Sequence, residues 1–267
     1  MPKVTANGIQ IYYEEYGKGE PVILIPGLGG TNKLWYLQIP ALAEHFRVIA
    51  LDNRGAGDSD KPLGPYTMDM FSDDINALIQ SLALPEPVNV IAASLGGIMA
   101  QTFIHHHPEK VKRLVLVCTG VSGGDPHYVP MAPEILAQVS NPGDSRETRV
   151  DTILSLFYHP QYITNNPGLR TAFLSQKVDD LAAQAYFWQL AAAADSRPYY
   201  EWLGEIRCPV LIMHGKQDRI WPLKNAEILK QGIGKNAELY IMEDSEHMFF
   251  QEKADEFNKR LMQFLKK

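Results

Sequence analysis

The sequence predicts an α/β protein with a doubly wound, mostly parallel sheet, an N-terminal antiparallel hairpin and a helical lid. Three observations carry this prediction. Six short runs, at residues 22–25, 47–51, 88–91, 113–118, 210–213 and 238–242, are almost continuously apolar, as strands covered on both faces are. Segments with helical spacing separate most of them, which implies right-handed crossovers and ligand-carrying loops at the C-terminal ends of the strands. That alternation stops between residues 121 and 204, where the apolar spacing is helical throughout.

The chain opens with two alternating stretches around Asn7-Gly8, a two-residue hairpin signal. Residues 68–84 carry Phe71, Ile75, Leu78, Ile79 and Leu82 on one helical face, and residues 95–107 and 254–264 read similarly. Within 121–204 the helical apolar residues include Leu136, Ile153, Leu154, Phe157, Phe173, Tyr186 and Trp188. Gly123-Gly124 offers a hinge at the start of this stretch, and the sheet resumes after Cys208-Pro209. The expected organisation is therefore a core of residues 1–120 and 205–267, with 121–204 inserted between two core strands as the lid. At 267 residues and 45% hydrophobic content the chain is long enough to bury such a core.

Charge and composition narrow the function classes. A formal net charge of −6, with no run of Lys or Arg, argues against nucleic acid and anionic membrane surfaces as partners. A small substrate, uncharged or weakly charged, is expected instead, and the oligomeric state is not readable. Residues 1–17 alternate polar and apolar side chains without the apolar core of a secretion signal, and no later run reaches bilayer length, so a cytoplasmic protein is expected. Cys118 and Cys208 fall in two different strand patterns and read as ordinary buried thiols. No metal cluster and no cofactor fingerprint is present, so the reaction is expected to need neither.

The chemistry begins at Val88-Asn-Val-Ile-Ala-Ala-Ser-Leu-Gly-Gly97, a strand running straight into a serine and then a helix. A serine at such a turn sits on a strained backbone with its hydroxyl projected from the sheet, and small residues two positions either side let the flanking chains approach. Here those residues are Ala92 and Gly96, so the pattern departs from G-x-S-x-G by one methyl group. Taken alone, Ser94 reads equally as a helix N-cap. Two later strands decide between the readings: residues 210–213 lead into Gly215-Lys-Gln-Asp218, and residues 238–242 into Glu243-Asp-Ser-Glu-His247. The order serine, acid, histidine makes Ser94 the nucleophile, His247 the general base and Asp218 its orienting acid. Glu243, Asp244, Glu246 and Asp125 are weaker candidates for the acid, because none has the Gly-x-x-Asp placement.

Four blocks resemble the α/β-hydrolase fold serine hydrolases over nearly the whole chain: Ile23-Leu-Ile-Pro-Gly-Leu-Gly-Gly30, Leu51-Asp-Asn-Arg-Gly-Ala-Gly-Asp-Ser59, Ala92-Ala-Ser-Leu-Gly-Gly97, and Gly215 to Asp218 with Ser245-Glu-His247. The stretch from Trp35 to Thr67 is similar to the 3-oxoadipate enol-lactonase and carboxylesterase branch. The resemblance implies a cofactor-independent hydrolase of a small carboxylic ester or lactone, with main-chain amides of Leu28 and Leu95 as the oxyanion hole. Many relatives carry His where this chain has Pro26. Phe157 and Trp188 are the lid residues expected to line the substrate pocket. One fold hosts many chemistries, so three alternatives stay open: a carbon–carbon bond hydrolase, a cofactor-free perhydrolase and a small-ligand receptor. Epoxide hydrolases and dehalogenases of this fold carry aspartate where this chain has Ser94.

Other conspicuous residues have plainer readings. Residues 52–59 resemble a family turn, in which Arg54 and Asp58 are expected to hold loops beside the site. His105, His106 and His107 lie about 100° apart on a helix and cannot share one ion. His214 ends a strand and supports the loop of Asp218. The glycines of residues 27–30 lack the spacing of a phosphate loop. For His247 two shifts oppose each other, since Asp218 raises its pKa and burial under a lid lowers it.

Overall fold

A computed structural model describes residues 2–141, 143–175 and 180–267. Eight strands form one sheet: β1 (Lys3–Ala6), β2 (Ile9–Tyr16), β3 (Glu20–Ile25), β4 (Phe46–Leu51), β5 (Val88–Ala93), β6 (Val111–Val117), β7 (Val210–Gly215) and β8 (Ala237–Met242). β1 and β2 pair antiparallel across a turn in which Asn7 and Gly8 both have positive φ, 49° and 77°. Asn-Gly favours that conformation, and it matches the strand twist. β2 is antiparallel to β4, and every pairing from β4 and β3 through β8 is parallel. The strand order is β1-β2-β4-β3-β5-β6-β7-β8, so the chain leaves β3 toward one edge and then crosses to β5 on the other side. That reversal opens a crevice beyond the C-terminal ends of β3 and β5, where open α/β sheets bind ligands.

Alternation along the strands divides the apolar side chains between two layers. Ile23, Ile25 and Val90 face one layer, which is covered by α2 (Met68–Ser81), α3 (Leu95–His106) and α10 (Lys224–Ile233). Val22, Leu24 and Ile91 face the other, which is covered by α1 (Ile39–Ala43), α11 (Phe249–Glu252) and α12 (Ala254–Leu265). Each buried Leu, Ile or Phe contributes about 1.5–3 kcal/mol of transfer free energy, so this double layer is the main stabilising element. α2 is shorter than the sequence pattern predicts. It is capped by Thr67, whose side chain accepts from Met70 N, and it stops where Ala83 turns to φ 45°. α10 carries Ala226, Leu229 and Ile233 on its buried face, a helical spacing short enough to escape notice between two strands.

Between β6 and β7 the described residues form helices and no strand: Pro133–Ser140 (α4), Arg146–Phe157 (α5), Pro160–Asn165 (α6), Gly168–Ser175 (α7), Asp180–Ala192 (α8) and Tyr199–Leu203 (α9). α5 starts at a capping box of Ser145 and Thr148 and sends Val150 and Leu154 into the second layer. No helix among the described residues is long and apolar enough to cross a membrane.

Candidate active site

Ser94 stands between the end of β5 and the start of α3 with φ 52° and ψ −122°, a backbone conformation costly for a residue with a β-carbon. The surroundings over-determine it. Its N–H donates to Val117 O at 2.9 Å, and its carbonyl accepts from Gly97 N at 2.8 Å and Thr119 Oγ1 at 2.7 Å. Close approach explains the small neighbours: a Cβ on Gly96 would lie 2.6 Å from Pro26 O, and one on Gly27 would lie 3.0 Å from Ser94 Cβ. Ala92 is fully buried in the ladder, paired with Ile25 on one side and Leu116 on the other, so the extra methyl is accommodated.

Asp218 and His247 follow β7 and β8 at the same edge of the sheet. His247 Nδ1 lies 2.8 Å from Asp218 Oδ2, and both side chains are almost completely buried. A carboxylate only accepts, so this contact places the proton on Nδ1 and leaves Nε2 as a base. The other oxygen, Oδ1, accepts from the N–H groups of Ile220 and Trp221, each at 2.9 Å. Burial pushes the His247 imidazole down, but the adjoining Asp218 carboxylate and the contact with Cys118 together outweigh it, and the pKa stands well above the ordinary imidazole range. The two loops are stitched together by Gln217 N to Ser245 O at 3.0 Å, Lys216 N to Met242 O at 2.9 Å and the Arg219–Glu246 ion pair at 3.3 Å. Cys118, at the end of β6, touches both His247 and the Ser94 main chain, and burial raises its thiol so that it stays neutral.

The glycine-rich loop after β3 is fixed from three sides. Asn53 Nδ2 donates to Pro26 O at 2.9 Å, Gly30 N closes on Gly27 O at 3.1 Å, and Gly29 N donates to Gln189 Oε1 at 2.8 Å. Asp52 accepts from Asn32 N, Asn32 Nδ2 and Asp58 N within 2.8 Å, and Arg54 makes a two-pronged 2.6 Å contact with Asp74 of α2. The turn of residues 52–59 therefore supports the loop carrying Leu28. Leu95, as the first residue of α3, has an N–H outside the intrahelical ladder.

The structure thus brings Ser94, Asp218, His247 and the Leu28 and Leu95 segments to the C-terminal edge of the sheet. Phe157 joins them, its ring edge-on to His247 at 5.0 Å. Trp188 packs over Gly64, where an added Cβ would meet its ring, while its neighbour Gln189 reaches the glycine-rich loop. The other acids have different partners: Asp125 accepts from His127 N and Tyr200 N, Glu243 pairs with Lys216, and Glu246 with Arg219. His105 stacks on Trp202 and His106 faces Asp69, so the histidine run diverges. Cys118 and Cys208 are both free. Sequence reasoning missed Gln189 and Trp221. Trp221 Nε1 donates to Ser94 Oγ at 3.2 Å, a reach set by the loop conformation, although its place three residues after Asp218 is a signal visible in the chain.

The α/β hydrolase fold family model matches residues 20–164 and 169–254. A poly(3-hydroxyalkanoate) depolymerase of Ectopseudomonas oleovorans is 31% identical over 92% of this chain and 84% of its own length. A non-heme haloperoxidase of Rhodococcus erythropolis is 30% identical over 99% of both. Among solved structures, the enol-lactonase of Burkholderia xenovorans LB400 superposes with a TM-score of 0.82 at 26% identity, covering 100% of each chain.

Proposed function

This chain belongs to the α/β-hydrolase fold family, and we propose that it is a serine hydrolase of small carboxylic esters or lactones. The observation that carries the reading is the buried Asp218–His247 couple at 2.8 Å, on the same sheet edge as a serine held at positive φ. Ser94 Oγ attacks the ester carbonyl while His247 Nε2 takes its proton. The developing oxyanion is met by the N–H groups of Leu28 and Leu95. Collapse expels the alcohol, which leaves with the proton from His247, and Ser94 holds the acyl group as an ester. Water then attacks that ester, His247 takes its proton and returns it to Oγ, and the carboxylic acid departs. In a lactone the alcohol and acid remain one molecule.

Residues 1–120 and 205–267 form the core in this reading, and 121–204 act as a lid that shapes the acyl pocket through Phe157, with Trp188 holding α8 to the core. The protein works in the cytoplasm on a small molecule, without nucleic acid, membrane, metal or cofactor; its charge of −6 and its two free thiols support that setting. Perhydrolysis, with hydrogen peroxide in place of water at the acyl-enzyme, is the second reading, favoured by the likeness to the Rhodococcus haloperoxidase. A panel of esters, lactones, thioesters and vinylogous diketones, with and without peroxide, tests the assignment on wild type and Ser94→Ala. Ester or lactone turnover lost in Ser94→Ala is expected. Turnover that is confined to the diketones would replace ester hydrolysis with carbon–carbon cleavage.

A further inference from the structure

Besides the oxyanion hole, the nucleophile has one donor that the acyl-transfer scheme does not use. The indole Nε1–H of Trp221 donates to Ser94 Oγ at 3.2 Å. The ring is held firmly for this. Its residue's N–H is bound by the buried Asp218 Oδ1 at 2.9 Å, and its carbonyl accepts from the fully buried His214 Nε2 at 2.7 Å. Burial pushes the His214 pKa down, so the imidazole stays neutral, and its Nδ1 has no partner among the described residues. This histidine supports Trp221 as well as the loop of Asp218. The indole also lies edge-on to Tyr128 at 5.4 Å and fills the space beside Gly120, where an added Cβ would sit 2.8 Å from the ring. A donor fixed at both ends of its peptide and on its ring is preorganised for whatever oxygen stands at Ser94.

We propose that the Trp221 indole N–H passes from Ser94 Oγ to an acceptor oxygen on the substrate's acyl chain when Ser94 is acylated, so that the site prefers acyl groups carrying an ether or carbonyl oxygen a few atoms from the reacting carbon. The proposal rests on the Ser94 acyl-enzyme. In the resting site Oγ accepts the indole N–H with one lone pair and keeps its own proton, which in the proposed mechanism goes to His247. On acylation that proton goes to His247, Oγ bonds to the acyl carbon, and the alcohol leaves with the proton. Oγ is then an ester oxygen, whose lone pair is delocalised into the carbonyl and accepts weakly. The half-buried N–H has lost its partner for the lifetime of the acyl-enzyme. By then the leaving group has gone, and the acyl chain is the part of the substrate that remains to replace it. A polar group left unpaired in such a site is the strongest source of discrimination between substrates of the same shape.

The test compares isosteric p-nitrophenyl esters that differ by one oxygen: methoxyacetate against butanoate, and levulinate against isocaproate. Wild type and Trp221→Phe, which keeps an aromatic ring but lacks the N–H, are assayed for kcat/KM and kcat. Dividing the oxygenated-to-alkyl ratio of wild type by that of the variant removes the intrinsic reactivity of each ester. A quotient of about three- to tenfold in favour of wild type is expected for at least one pair. Trp221→Leu, which also lacks the donor, supplies the comparison if the phenylalanine variant is not recovered folded. A quotient of one for both pairs, in variants that a fluorophosphonate still labels at Ser94, would overturn the proposal while leaving the hydrolase reading intact. Wild type that neither takes the label at Ser94 nor hydrolyses any of the four esters would overturn both.

Discussion

The C-terminal edge of the sheet and the helices inserted between β6 and β7 are built on opposite principles. At the edge, Ser94 and Asp218 follow β5 and β7, whose side chains are wholly buried, His247 follows the half-buried β8, and the Asp218 carboxylate is satisfied on both oxygens. In the insertion, α7 buries no side chain, α4 buries only Ile135, and Phe187 and Leu181 of α8 are 66% and 56% exposed. Besides the apolar contacts of Val150, Leu154 and Ala185, individual polar contacts tie it to the core, including Gln189 to Gly29 N and to Arg54 O, and Met248 N to Phe157 O. Regions with few buried apolar contacts open at lower free energy than the core. In the proposed function, the chemistry belongs to the firmly packed edge and the choice of acyl group to the less buried insertion.

The largest effect expected from breaking the edge is at the acid. Asp218→Asn should lower kcat/KM about ten-thousandfold, the scale seen when a triad acid loses its charge, whereas Asp125→Asn and Asp244→Asn should stay near wild type. The pH profile sharpens this. His247 must be neutral to act, and its pKa is raised, so single-turnover rates in wild type should rise with pH to a midpoint above about 6.5. Asp218→Asn removes the charge that favours imidazolium and leaves the burial, so the residual activity should titrate lower. The sign for stability follows from the same shift: the charged pair's contribution is complete below the unfolded-state pKa and is lost as pH rises through the raised folded value.

Next in size is the support beneath the edge. Arg54 and Asp74 form a buried two-pronged pair, and Arg54→Ala leaves the carboxylate without its charged partner, with Asn7 Nδ2 at 3.1 Å as a neutral donor. Urea unfolding should show a loss of about 3–5 kcal/mol. The smallest effect belongs to the insertion. Phe157→Ala should change the preference among straight-chain acyl groups several-fold while leaving fluorophosphonate reactivity at Ser94 intact. An unaltered chain-length profile would assign that ring to packing against His247.

The edge was legible from the chain because parallel strands write themselves as apolar runs, and the residues beyond their C-terminal ends are few. Ser94, Asp218 and His247 could be placed at strand ends, with the order serine, acid, histidine deciding against a plain N-cap, and the Asn7-Gly8 hairpin from its turn chemistry. The insertion was not legible in the same detail. A helical period says that Trp188 and Gln189 lie on one helix, but not that Trp188 lies over Gly64 while Gln189 bonds Gly29 N. Trp221 escaped for a related reason. Its aim at Ser94 depends on a loop turned by two bonds to Asp218 and one from His214, and no local pattern encodes that turn. Cys118 beside Ser94 and His247 is legible only once β6 is known to lie between β5 and β7, with β8 beyond.

Labelling with a fluorophosphonate, read by intact mass and peptide mapping, tests the central claim most directly. Wild type should gain one adduct, on the peptide that carries Ser94, with activity lost in proportion, and Ser94→Ala should gain none. An adduct of equal yield in Ser94→Ala, or one mapped to another residue of the wild type, would contradict Ser94 as the nucleophile.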